Sequence, residues 1–286
     1  MKVLKLRQVN CPNQGDIMIN KLKIAASVIL LLIWTLPANA LSLEEAGVEK
    51  GEVEIQYEAT YTDDNGEGAY EHEEEIEAQL GITNWLLLTV GIGFEEEEGE
   101  RNFELSELEA EVQIELIDPE KNGFGLALFG GISREFSTED DEKDEKEFAI
   151  GVIAEQSFDK WLVRGNLYYI GDLKNEEDEQ FDGVQYAYQV RYQMTNSFGF
   201  GVEGYGTHKD FEDEDEENLN EHMVGPVFYY STELEPRHEK ASFKNNDDDD
   251  EDEEEGMELE AQFGVLFGTN DDTADVTFKW GLELDF

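Results

Sequence analysis

From residue 53 onward the chain alternates between apolar and polar positions. In GEVEIQYEATY, Val53, Ile55, Tyr57, Ala59 and Tyr61 share one parity, and Glu54, Gln56, Glu58 and Thr60 share the other. A period of two is the mark of an extended strand with one greasy and one wet face. A soluble sandwich strand alternates in the same way, so the repetition of the pattern decides the class.

Apolar faces recur through the chain, as in Ile76, Ala78 and Leu80, and in Leu86, Leu88, Val90, Ile92 and Phe94. Others fall at Leu108 to Leu116, Phe124 to Ile132, Phe148 to Ala154, Val163 to Tyr169, Val184 to Tyr192 and Phe198 to Val202. A tenth face is read at Met223, Val227 and Tyr229, an eleventh from Met257 to Phe267 and a twelfth from Val276 to Phe286. Each segment is close to the ~9 to 11 residues with which a tilted strand crosses a bilayer. The expected fold is all-β: a transmembrane, antiparallel, up-and-down β-barrel of about twelve strands.

Connector lengths agree with that expectation. Thr83-Asn84, Asp118 to Asn122, Phe158 to Lys160 and Thr195 to Ser197 are short, whereas Glu95 to Arg101, Ser137 to Lys146, Asp172 to Asp182 and His208 to Glu221 are longer and charged. Short turns at one end and long loops at the other are the layout of bacterial outer-membrane barrels, with short turns in the periplasm. Two features depart from it. Pro226 interrupts the tenth strand, where a bulge is expected, and the acidic insertion 232–256 falls by strand parity on the periplasmic side.

Ahead of the strands, Lys21 and Lys23 precede an apolar run from Ile24 to Leu36, followed by Pro37 and Ala38-Asn39-Ala40. This is the order of a cleaved secretory signal. The run, at ~1.5 Å per residue, is too short for a hydrocarbon core of roughly 30 Å. Residues 1–40 are read as the signal peptide, with Met18 as an alternative start, and 41–286 as the barrel. The expected location is the outer membrane of a Gram-negative bacterium.

Charge then narrows the partners. Twenty Lys and Arg stand against 71 Asp and Glu, for a net charge of −51. Nucleic acid is excluded as a partner, because phosphate affinity needs clustered bases. Mean hydropathy is −0.57; a barrel tolerates that value because only alternate strand residues meet lipid. The single cysteine, Cys11, rules out a disulfide within the chain.

Asn65-Gly66 is a hairpin signal, since both residues accept positive φ. A two-residue turn there pairs Glu58 with Glu73 and Glu54 with Glu77, all on the polar face. Glu107, Glu109 and Glu111, and Glu258 with Glu260, extend an acidic wall. Like charges opposite one another destabilise a sheet, so mobile cations, bound divalent ions or protonation must offset them. A second, mixed-charge wall is read at Arg164 and Arg191, with Glu155 and Glu203 close to the two arginines on neighbouring strands, and Lys279. Together the walls describe either a cation-favouring pore or a solvated acidic face whose arginines only neutralise lumen acids. Inward Phe129, Tyr168 and Tyr205 are candidates to plug it.

The final FKWGLELDF sets Phe278, Trp280, Leu282, Leu284 and Phe286 on one face. It resembles the C-terminal insertion signal of outer-membrane barrels, which implies recognition by the barrel-assembly machinery. LGITNWLLLTVGIGFE, GFGVEGYG, GPVFYY and ELEAQFGVLFGTNDDT resemble the barrel family labelled phenol-degradation MetA-pathway proteins, often called transporters. That resemblance implies passage of small molecules and carries over no catalytic residue.

No catalytic site is expected. Outer-membrane phospholipases have twelve strands, but Ser106 and His72 are a whole strand apart here, beyond hydrogen-bond reach. His72, His208, His222 and His238 lack metal-ligand spacing. The acidic run from Asp247 to Glu255 lacks the spaced ligands of a formed calcium loop. No cofactor is expected beyond weak divalent-cation binding; the expected partners are outer-membrane lipids, the assembly machinery and small solutes or cations. The reading is an outer-membrane channel or transporter for small solutes. The alternative is a closed structural or interaction barrel whose acidic loops bind divalent cations or lipopolysaccharide.

Overall fold

The computed structural model describes residues 43–64, 69–97, 103–136, 145–173, 181–211, 219–234, 257–270 and 273–286. The signal segment, the Asn65-Gly66 turn and the acidic run from Asp247 to Glu255 lie outside the described residues.

Twelve strands form: β1 (Val53–Asp64), β2 (Ala69–Thr83), β3 (Leu86–Glu97), β4 (Glu104–Ile117), β5 (Phe124–Glu135) and β6 (Glu145–Phe158), then β7 (Trp161–Asp172), β8 (Phe181–Gln193), β9 (Phe198–Phe211), β10 (Leu219–Leu234), β11 (Met257–Gly268) and β12 (Val276–Asp285). Each pairs antiparallel with its sequence neighbours, and β1 pairs with β12, so the sheet closes into a barrel. Closure leaves no sheet edge unpaired, which lipid could not satisfy.

One end carries tight connections whose chemistry fits them. Between β4 and β5 lies a single helical turn, α1 (Pro119–Asn122). Asp118 caps it by accepting from Lys121 N at 3.0 Å, and Gly123 ends it at φ 68°. The Lys121 ammonium beside Asp118 holds that carboxyl below its usual range. Asp159, at φ 55°, turns β6 into β7. The connection from β10 to β11 leaves this same end, where Leu234 pairs with Met257. Twelve-strand parity therefore holds, and β10 extends through 232–234, at the start of the expected insertion.

The β1–β2 register corrects the expected one. Asp64 pairs with Ala69, Thr60 with Glu73, Glu58 with Glu75 and Glu54 with Gln79. The hairpin connection is thus two residues longer than a two-residue Asn-Gly turn allows. A shift of two keeps every side chain on its expected face, because the side-chain period is also two.

On β10 the expected face is inverted. Phe228 is 60% exposed and Pro226 and Tyr230 are also outside, whereas Val227 and Tyr229 are buried inside. MVGPVFYY is apolar at both parities, so alternation could not orient it. The interior decides instead: Val227 and Tyr229 pack with Ala187, Tyr205 and Leu266. Pro226 causes no bulge. The β9–β10 register runs through it unbroken, and the ladder to β11 only lapses between Val224 and Val227. The register shifts fall elsewhere, at Gly81/Thr83, Gly93/Phe94 and Glu115/Ile117.

Other outward faces match the alternation, with Val90, Ile132 and Ile150 each more than half exposed. Such a continuous apolar exterior is far larger than a soluble monomer presents. Inside, the wall is not uniformly wet: a second apolar cluster gathers Ala127 and Ile153 around Ala46, a residue that precedes the barrel.

Candidate functional site, a lumen divided by its own N-terminal segment

Residues 43–52 enter the lumen. At Gly51, with φ 91°, the chain leaves the end of β1 and bends inward, held by Gly51 N donating to Gly81 O at 2.8 Å and Gly81 N to Glu52 O at 3.1 Å. Gly81 is required for this bend, since a Cβ there would lie 1.8 Å from the Glu49 carbonyl oxygen. Burial, and then nearby Glu49 and Glu45, push the Glu52 carboxyl above its usual range.

Beyond the bend, backbone polar groups find partners on the wall. Val48 N donates to Glu115 Oε2 at 3.0 Å, and Gln113 Nε2 donates to Glu45 O at 2.9 Å. Ala46 is fully buried beside Gly125, where a Cβ would meet Ala46 Cβ at 2.9 Å. With its amide oriented so that oxygen faces donors, Asn166 accepts from Glu44 N at 2.6 Å and donates to Glu44 O at 3.3 Å. Leu43 then packs against the β8–β11 cluster. The segment therefore crosses the lumen from the β5–β6 wall to the β8–β11 wall. Gly81→Val is expected to evict the bend, read as faster protease cleavage within 43–50 of the refolded protein than in wild type.

At the same height the basic residues act. Lys279 on β12, 1% exposed, stands 3.2 Å from Glu58 Oε2 on β1 and 3.4 Å from Glu203 Oε2 on β9. It also donates to the Tyr205 hydroxyl at 2.7 Å. Glu203 accepts further from Tyr205, from Tyr229 at 2.6 Å and from Gln189 Nε2 at 2.9 Å. In the ladders, Gly264 lies opposite Lys279 and Gly225 opposite Glu203.

Arg164 pairs with Glu155 at 3.2 Å, as the sequence suggested, and with Glu45 of the inserted segment. Arg191 departs from expectation. Its partner is Glu260 on β11, bound through both guanidinium nitrogens, while its ring neighbour is Tyr229, 4.4 Å from the centroid. Glu203 is taken up by Lys279, and the lumen is narrow enough for Arg191 to reach past β9 and β10. The two walls are therefore not simply facing surfaces, since a mixed-charge residue is stapled to an acidic one.

Among the described residues, a cavity lies on each side of the layer. The lower, of about 560 Å³, opens toward the tight turns and collects Glu54, Glu260 and all four basic residues of the layer and its rim, Lys121, Arg164, Arg191 and Lys279. The upper, of about 490 Å³, faces the long loops and is lined by eleven glutamates and no lysine or arginine among the described residues. Glu73, Glu77, Glu107, Glu109 and Glu111 all face it. Phe129 and Tyr168, edge to face at 4.7 Å, also line it. Tyr205 lies in the dividing layer, so the three inward aromatics narrow the interior at different places.

Glu258 pairs across the β11–β12 ladder with Asp285, near the lower mouth. On the outer face, Phe278, Trp280 and Leu282 share one side of β12, and Phe286 packs beside Val53, Ile55 and Ile76. His72 also faces outward, 3.1 Å from Glu74, with its ring edge-to-face with Phe103 at 5.3 Å and tilted against Trp280 at 5.7 Å. Ser106 is on β4, with β3 between the two strands.

Sequence reasoning missed Glu44, Glu45 and Ala46. Their only trace was an acidic stretch without alternation ahead of β1, facing small inward residues such as Gly125 and Ala127 on β5.

No family model matches the chain, and no curated protein matches it. Among solved structures it is similar to an outer-membrane channel from Pseudomonas putida F1, with TM-score 0.53 and 11% identity over 87% of this chain and 98% of that one. The NanC porin aligns at TM-score 0.46 and 12% identity, covering 80% and 98% of the respective chains. The KdgM porin in complex with disordered oligogalacturonate aligns at 0.42 and 10%, covering 82% and 98%. At such identities the likeness to the Pseudomonas channel is one of fold.

Proposed function

We propose that the protein is a bacterial outer-membrane channel or transporter for small solutes, with a lumen that favours cations. The observation that carries the reading is the upper cavity, lined among the described residues by eleven glutamates and no lysine or arginine. Rings of carboxylates raise the local concentration of cations and repel anions. The apolar exterior supports lipid contact, with the tight turns in the periplasm and the long loops outside. Phe286 N donates to Val53 O at 3.0 Å, tying the end of the chain into the closing seam; this supports a role for the C-terminal strand in recognition by the assembly machinery.

A closed barrel is the second reading, favoured by one observation: the inserted segment and the Lys279 layer fill the mid-height of the lumen. Planar-bilayer recording separates the two. The channel reading expects conductance steps from refolded protein and, in a KCl gradient, a reversal potential displaced toward that of potassium. Absence of steps would favour the closed barrel, and displacement toward chloride would overturn the cation preference.

A further inference from the structure

We propose that the lower cavity binds a small organic cation through its N–H groups, an alkylammonium or guanidinium solute whose donors reach Gln189. This names a solute class for the lumen and rests on its preference for cations, not on conduction. At about 560 Å³ the cavity has the size of a small-molecule site. Four glutamines line it, Gln56, Gln79, Gln189 and Gln262, and Gln189 stands opposite Glu203 of the Lys279 layer.

All four amides turn their nitrogen to an acid. Gln56 and Gln262 donate to Glu58, Gln79 donates to Glu77, and Gln189 donates to Glu203 at 2.9 Å. A carboxylate only accepts, so nitrogen is the end that faces it and each carbonyl oxygen needs a donor from elsewhere. Gln189 finds none. The residue is 3% exposed, its nitrogen also reaches the Tyr229 hydroxyl at 3.2 Å, and its Oε1 has neither solvent nor a hydrogen-bond partner. Among the described residues, the bases beside it are taken. Arg164, directly opposite on β7, is held by Glu155 and Glu45, and Arg191, two residues along β8, is held by Glu260. A buried acceptor without a donor carries an uncompensated loss of water, so a group that donates to it is favoured.

Charge then selects the class. Among the described residues, fourteen acids line the cavity against four bases, so an anion meets a surplus of like charge and a neutral polyol draws nothing from it. A metal ion needs several oxygens converging on it, and the described carboxylates that converge in threes do not include Glu203. The wall already holds cations of the proposed kind. Lys279 presents an ammonium to Glu58, Glu203 and Tyr205, and Arg191 presents a guanidinium to Glu260 over the Tyr229 ring. Leu43 packs on the cluster that holds Ala187 and Tyr229, the neighbours of Gln189, so a ligand reaches the oxygen by displacing it.

The test is calorimetric titration of putrescine, at neutral pH and low salt, into refolded full-length protein in detergent, with folding checked by heat-dependent gel mobility. Wild type is expected to bind the diamine saturably, and to bind its bis-trimethylammonium analogue, equal in charge but without N–H, about tenfold more weakly. Gln189→Met keeps the net charge and removes the acceptor; it is expected to weaken the diamine about tenfold and to leave the analogue unchanged. Leu43→Ala is expected to strengthen the diamine several-fold. If Gln189→Met does not refold, the two ligands on wild type decide. Equal binding of diamine and analogue would assign the effect to charge alone and overturn the proposal, as would the absence of saturable binding. Full affinity in Gln189→Met would mean that a buried water serves the amide, and would overturn it too. Competition by equimolar xylitol would overturn the cationic class. No membrane is involved, so diamine binding without conductance steps in planar bilayers would refute the channel reading alone.

Discussion

Lys279→Met is expected to destabilise the barrel by about 3 to 5 kcal/mol, the cost of leaving buried charges without their partner. The ammonium is 1% exposed, and so is Glu203; Glu58 is 3% exposed. Removing the cation strands two carboxylates that reach it from β1 and β9, on either side of β12, and deprives the Tyr205 hydroxyl of its donor. Methionine fills similar space but supplies no charge. The measurement is the urea midpoint of the heat-sensitive gel band in detergent. A double variant, Lys279→Met with Glu203→Gln, is expected to recover part of the loss, because the two sites share one network and their effects do not add. A Lys279→Met barrel as stable as wild type would show that water enters the layer and solvates both acids.

A variant lacking residues 43–50 is expected to conduct several-fold better than wild type in planar bilayers. The segment fills the lumen beside the ion-paired layer, and its removal joins cavities of about 560 and 490 Å³ on the β5–β6 side. Twelve strands enclose an interior between the filled eight-stranded barrel and the open porin, so one extra chain in the lumen occupies much of the free section. Cation preference should persist, since ten of the eleven upper glutamates belong to strands and only Glu44 leaves with the segment. Arg164 keeps Glu155, so folding should survive. Unchanged conductance would assign the constriction to the Lys279 layer alone.

The contrast between β1 and β10 shows what was legible in the sequence. On β1 from Val53 to Thr62 every inward position is polar and every outward one apolar, so parity fixed the face, and even a register error of two residues did no damage. On β10 both parities are apolar, and only the packing of Val227 and Tyr229 against Leu266 told inside from outside. Arg164 and Glu155 were legible as a pair because they are directly opposite on adjacent strands. Arg191 with Glu260, and Lys279 with Glu203, were not, because those contacts cross the lumen and depend on its width.

Strand number, the closed all-β fold and eleven of the outward faces followed from the chain alone, because a period of two and short-range turn chemistry are local properties. Tertiary structure alone decided which of the described acids meet a base, which gather with other acids, and that residues 43–52 turn inward. Those outcomes depend on distances across a closed cylinder, and no local pattern encodes its diameter.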